Sequence, residues 1–204
     1  MMKRKTLWLA VALVFGSAEV ALAQATGTPS FNAPYRAFSK AEFGGTISFP
    51  KGSDFGLEGQ YRFGYENFDL GVRAGFVEPG GGLKSIFVIG AEGRTRVITH
   101  TENFPLDGAL VVGLGGNFVS GSSLALIPVG LSLGRRVNPK DTQISIVPYV
   151  EPTLFIRSGG GLGTDALFSF GLGADFRLSK VFDARVSVGL GDIQGIAFSA
   201  VWIH

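Results

Sequence analysis

The chain has 204 residues, a formal net charge of +2 and no cysteine. Thiol catalysis, zinc–thiolate centres and redox motifs are therefore excluded, and an exported form must be held by its own core or by a membrane rather than by disulfides. The charge belongs to the first residues: Lys3, Arg4 and Lys5 are three of eighteen basic residues and Glu19 one of sixteen acids, so the remainder is formally neutral and offers no electrostatic footprint for nucleic acid. After this basic start, residues 7–15 form an apolar run too short to span a bilayer, and Ala21-Leu22-Ala23 is a small-x-small cleavage site. This pattern predicts a secretory signal peptide over 1–23 and a mature chain starting at Gln24. An uncleaved anchor is the competing reading, disfavoured by the short run and the cleavage site. Residues 24–35 read as an N-terminal periplasmic segment ahead of a barrel domain over 36–204.

From there the dominant signal has period two. Phe55, Leu57, Gly59, Tyr61, Phe63 and Tyr65 share one face, while Glu58, Gln60, Arg62 and Glu66 share the other. Past a turn near Asn67, Phe68, Leu70, Val72, Ala74 and Phe76 alternate with Asp69, Gly71, Arg73 and Gly75. Strand side chains point alternately to opposite faces, so each segment has a greasy and a polar surface. The same reading predicts ten strands, at about 36–49, 54–65, 68–77, 84–98, 106–118, 123–136, 142–157, 165–178, 182–190 and 194–203, with eight as the alternative count. Turn chemistry separates them at Pro50-Lys51-Gly52-Ser53, Pro79-Gly80-Gly81-Gly82, Asn138-Pro139-Lys140-Asp141 and Ser158-Gly159-Gly160-Gly161. The uncharged stretch 108–134 could be a helix by hydropathy, but its seven glycines, Pro128 and the Ser120-Gly121-Ser122-Ser123 break read as two strands and a turn.

An all-β chain of this kind closes either as a soluble barrel, apolar inside, or as an antiparallel transmembrane barrel, apolar outside. Three features favour the membrane. The greasy face recurs on nearly every strand. Aromatics gather near strand ends: Phe49 with Phe55, Tyr65 with Phe68, Phe176 with Phe182, and Trp202. The polar face carries glycine and mixed charges rather than the lysines of a soluble surface. With the greasy face outward, the lumen receives Arg36, Lys40 and Glu42, then Glu58 and Arg62, then Asp69 and Arg73, then Glu92, Arg94 and Arg96. Later strands add Asp107, Glu151, Arg157, Asp175, Arg177, Asp183 and Arg185. Unpaired charges in a narrow barrel would be costly, so the matched acids and bases predict an ion-pair network that seals the interior. A narrow selective channel is the alternative. Gly113, Gly115, Gly171, Gly173, Gly189 and Gly191 face inward and thin the opposing wall. Their Gly-Leu-Gly spacing is no dinucleotide fingerprint, because no helix follows.

No catalytic constellation is legible. The two histidines are His100, in a polar turn, and His204, and neither sits beside an acid or serine on a strand. His100-Thr101-Glu102 reads as a solvated turn, and Asp175 with Asp183 as salt-bridge acids. The expectation is a non-enzymatic protein with no cofactor and no metal.

The leader, the short alternating strands, the Leu178-Ser179-Lys180 turn before Phe182, and the last strand Ile196-Ala197-Phe198-Ser199-Ala200-Val201-Trp202 resemble small bacterial outer-membrane barrels of the OmpX, OmpW and opacity-protein kind. The resemblance implies an address in the outer membrane of a diderm bacterium, outer-membrane lipid as surroundings, and recognition by the barrel assembly machinery. That class usually ends in an aromatic residue, whereas this chain ends in Ile203-His204 with Trp202 in register two places earlier. The function implied is structural or envelope-stabilising. A small-solute channel, or a soluble periplasmic carrier of an apolar ligand, is the other reading; oligomeric state is not legible.

Overall fold

Because the apolar positions recur every second residue, each segment forms a strand, and the turns set where it stops. The computed structural model describes residues 25–34, 40–140, 142, 144–161 and 163–204. The expected leader, its cleavage before Gln24, and Arg36 lie outside the described residues. The strands are β1 (Glu42–Pro50), β2 (Phe55–Tyr65), β3 (Phe68–Glu78), β4 (Ile86–Ile98), β5 (Asp107–Val119), β6 (Ser122–Gly134), β7 (Ser145–Gly159), β8 (Thr164–Arg177), β9 (Phe182–Gly191) and β10 (Gly195–Ile203). Each pairs antiparallel with its sequence neighbour, and β1 pairs with β10 from Glu42↔Ile203 to Pro50↔Gly195, closing the barrel. Ten strands is thus the observed count, and closure leaves no sheet edge to cover. Strands of nine to fifteen residues meet the roughly 9–11 residues that a tilted strand needs to cross a bilayer core.

The main departure from the expected boundaries is at the first strand. Glu42 pairs with Ile203, the last paired residue of β10, so Lys40 lies ahead of the barrel wall and is exposed. It is not a lumen residue, in contrast to the expectation. At the opposite end the turns are tight. Gly121, at φ +80°, allows the two-residue link between β5 and β6, and Gly80, Gly81 and Gly82 are all left-handed, a conformation that side-chain-bearing residues rarely adopt.

The alternation sorts the faces cleanly. Phe43, Val72, Val112, Leu114, Phe168 and Trp202 point outward and are exposed, whereas Asp69, Arg94, Asp175 and Asp183 are at most 1% exposed and point inward. Outward aromatics form two belts. At the end where β1 starts and β10 finishes, Trp202 stacks on Phe43 with centroids 5.9 Å apart and meets Phe182 at 5.0 Å. At the other end Phe55 meets Phe76 at 6.2 Å and Phe87 meets Phe118 at 6.3 Å.

Candidate functional site

The lumen is where this chain concentrates its buried polar groups. β1 to β4, β8 and β9 supply a continuous charge network. Arg62 sits among three acids: its Nε lies 3.8 Å from Glu42, and its two Nη groups bond Asp69 and Glu92. Asp69 also receives Arg94 Nε at 3.0 and 3.1 Å. Glu42 extends the network to β9 by a bidentate pair with Arg185, at 3.0 and 2.6 Å, the planar fork geometry that makes such pairs strong. Arg185 in turn lies 3.5 Å from Asp175 and 4.0 Å from Asp183, and Arg177 donates to Asp183 at 3.0 Å.

Other predicted members have different surroundings. Glu58 accepts a 2.5 Å hydrogen bond from the Thr28 hydroxyl, and Glu151 accepts the Asn32 N–H at 3.4 Å. Arg73 donates to Ser30 O at 3.1 Å, Ser30 Oγ at 2.7 Å and Gln60 at 2.8 Å. Arg96 is half-buried near the end of β4. Arg157 pairs with Asp165 at the rim, where both are partly exposed. Asp107 is held by the His100 turn, accepting from the His100 main-chain N–H at 3.1 Å.

The partners Thr28, Ser30 and Asn32 reveal what sequence reasoning missed. Residues 25–34 were expected outside the barrel, on the periplasmic side. They run inside it instead, and all ten are buried. The reason is that the wall is built to receive them. Gly90 and Gly115 lie against Ala25, and Gly171 lies against the Phe31 ring, where an added Cβ would approach a ring carbon to 2.4 Å. Gly90, Gly115 and Gly171 therefore make room for this segment, whereas Gly173 makes room for the Tyr149 ring and Gly71 for the Arg62 guanidinium. Its main chain is also satisfied: Ser187 donates to Pro29 O at 2.7 Å, Tyr149 to Phe31 O at 2.7 Å, Ser132 to Asn32 O at 2.7 Å, and Arg94 to Ala33 O at 2.6 Å. The segment belongs to no strand ladder, so burial without these donors would be costly.

The lumen is also less polar than expected. Leu126 on β6 and Val147, Tyr149 and Phe155 on β7 point inward and form a buried cluster with Phe31, Ala33 and Ile193. A usable signal existed in the sequence. Thr26, Thr28, Ser30 and Asn32 alternate with Ala25, Gly27, Pro29, Phe31 and Ala33, the same two-faced pattern that identified the strands. Among the described residues no group of three His, Cys, Asp or Glu side chains is placed to hold a metal ion. The arrangement thus fills space, pairs charge and grips a main chain.

No family model matches the chain, and no curated protein matches it. Three solved structures similar to it are barrels of the membrane kind. The β domain of the Bordetella autotransporter BrkA has TM-score 0.49 and 14% identity over 81% of this chain and 98% of its own. A de novo designed transmembrane β-barrel has TM-score 0.40 and 14% identity, over 84% and 100%. Ail, the attachment invasion locus protein of Yersinia pestis, solved with the heparin analogue sucrose octasulfate, has TM-score 0.20 and 12% identity, over 80% and 92%. At these scores the architecture rests on the strand pairing itself: a closed, ten-stranded antiparallel barrel.

Proposed function

We propose that the protein is a non-enzymatic barrel of a bacterial outer membrane, delivered by a cleaved signal peptide, whose lumen is sealed by its own chain and whose role is to stabilise the envelope. The observation that carries this reading is the filled lumen: residues 25–34 are buried inside the barrel and bonded to the charge network and to the inner wall. The outward face supports the membrane address, since large apolar side chains such as Phe43, Val112, Leu114 and Phe168 are exposed all round the wall while charge is buried. That is the reverse of a soluble carrier. The aromatic belts at the two ends fit the two lipid–water interfaces. The resemblance to the OmpX, OmpW and opacity-protein group belongs to this proposal, as does recognition of β10 by the barrel assembly machinery through Trp202.

The test is electrical. Purified protein in planar bilayers is expected to insert and show no steady conductance. An open, ion-selective current from the wild type would replace sealing by the channel reading, with the same charged residues acting as a filter.

A further inference from the structure

We propose that the lumen is a binding site for polypeptide main chain, filled here by residues 25–34, and that it accepts in trans an uncharged peptide presenting a Phe-Asn pair in the same register. Six different strands each contribute one donor to a carbonyl of the segment. Asn117 on β5, with its amide oriented as the surrounding acceptors require, donates to Thr26 O at 3.0 Å. Arg73 on β3, Arg94 on β4, Ser132 on β6, Tyr149 on β7 and Ser187 on β9 grip the carbonyls of Ser30, Ala33, Asn32, Phe31 and Pro29 at 2.6–3.1 Å. Filling space alone would not need this. Apolar side chains suffice for that, as they do around Phe155, whereas donors aimed at successive carbonyls recognise a peptide as such.

Two side chains of the segment add selectivity. The Phe31 ring occupies a slot floored by Gly171 and Gly189, neither of which has room for a Cβ beside it. Asn32 is read on both ends of its carboxamide, with Arg185 donating to Oδ1 at 3.2 Å and Nδ2 lying 3.5 Å from Glu92. Replacing this residue would take one buried hydrogen bond from Arg185 and one from Glu92, and losing polar contacts of this kind is what gives such sites their discrimination. The site is also separable from the fold. None of the barrel's strand pairings involves residues 25–34, and the barrel is closed by β1 and β10, so departure of the segment breaks no strand pairing.

The inference rests on the sealed-barrel reading only in naming the cis occupant, and its test does not use conductance, so either can fail without the other. The full chain carrying Phe31→Ala and Asn32→Ala, in detergent micelles, is titrated into a labelled synthetic peptide of residues 25–34 and followed by fluorescence anisotropy. Saturable binding is expected, at least about tenfold tighter than to the wild type, whose tethered segment competes at high effective concentration. Unlabelled peptide with alanine at both positions should fail to compete, and adding Gly171→Leu should abolish binding. No saturable binding to a folded variant, or equal competition by the alanine peptide, overturns the proposal. Should the double variant not fold, the otherwise wild-type chain carrying Thr26→Cys decides, because the protein has no other cysteine. Thiol labelling of this buried position is expected to accelerate with millimolar wild-type peptide and not with the alanine peptide. An unchanged rate overturns the proposal.

Discussion

Two walls of one barrel solve the same packing problem differently. β1 to β4 and β9 fill their inner face with charge, through Glu42, Arg62, Asp69, Glu92, Arg94, Asp183 and Arg185, whereas β6 and β7 fill theirs mainly with Leu126, Val147, Tyr149 and Phe155. Residues 25–34 lie between and match both. Thr28, Ser30 and Asn32 bond Glu58, Arg73 and Arg185 on the charged side, while Phe31 and Ala33 join the apolar cluster. The segment is not a strand, since residues 25–29 turn and Gly27 has φ +82°, but its alternating side chains still divide between what lies on either side. The contrast teaches that a narrow lumen need not be uniformly polar: buried charge is tolerated where every group is paired, and apolar packing serves where the chain supplies an aromatic to complete it.

The largest expected effect is on the charged wall. Asp69 accepts from both Arg62 and Arg94, so Asp69→Ala leaves two buried guanidiniums short of a partner and should cost on the order of 3–5 kcal/mol. Leu126→Ala on the other wall should cost about 2–5 kcal/mol by opening a cavity. The two losses differ in kind. In unfolding experiments in micelles, Asp69→Ala and Arg94→Ala should couple by about 1–3 kcal/mol, whereas Asp69→Ala and Leu126→Ala should add to within about 0.5 kcal/mol. Strong coupling between the latter two would mean that the walls form one unit.

Next in size is a change on the outer face. Val112 is exposed in the middle of β5, where an arginine at the bilayer midplane costs about 2–4 kcal/mol. Val112→Arg is therefore expected to fold poorly into liposomes, as read by heat-modifiable migration on gels. Normal insertion would remove β5 from the lipid boundary.

How much of this was legible follows from the same physics. Strand number, order and facing could be read because an outer-membrane-type wall repeats with period two and its breaks carry glycine and proline. The inner apolar wall was harder to read, because Ile146-Val147-Pro148-Tyr149-Val150 in β7 is apolar on both faces, and only the register with Glu151 turns Val147 and Tyr149 inward. Alternation alone places Lys40 on a strand, because it continues upstream of Glu42, whereas strand length is set by the partner, and the chain ends with His204 donating to Ala41 O, one residue short of Lys40. The segment 25–34 was missed because its alternation is short, and burial inside a barrel depends on glycines more than sixty residues away in sequence, such as Gly90 and Gly171. Of the expected charge network, Glu42, Arg62, Asp69, Glu92, Arg94, Asp175, Asp183 and Arg185 come together, while Glu58, Arg73 and Glu151 each bond a residue of the segment.

A topological measurement bears on which end of the two walls faces out. An even-stranded barrel starts its first strand and ends its last on the same, periplasmic side, so the turns at 51–54, 79–85 and 192–194 should face outside, and those at 66–67, 99–106 and 178–181 inside the envelope. Cysteines introduced singly at Gly81 and Lys140, both exposed, should differ on intact cells: an impermeant reagent labels the first and spares the second. Equal labelling would reject this orientation.

The smallest expected effect marks where the charged lumen ends. Arg157 and Asp165 face each other across β7 and β8 and form an ion pair, but their side chains are 25% and 41% exposed. Water screens such a pair, and immobilising two long side chains offsets part of the attraction, so Arg157→Ala should cost no more than about 1 kcal/mol. What remains should fade as salt rises, since the Debye length shortens to about 3 Å at 1 M salt and exposed charges are then screened even at close range. Asp69→Ala, in contrast, should keep its cost at high salt, because the arginines it strands are buried. The measurement is the unfolding midpoint of both variants in micelles at low and high sodium chloride. If Arg157→Ala destabilised as much as Asp69→Ala, and did so regardless of salt, the rim would be as dry as the interior and the charged wall would extend the full height of the barrel.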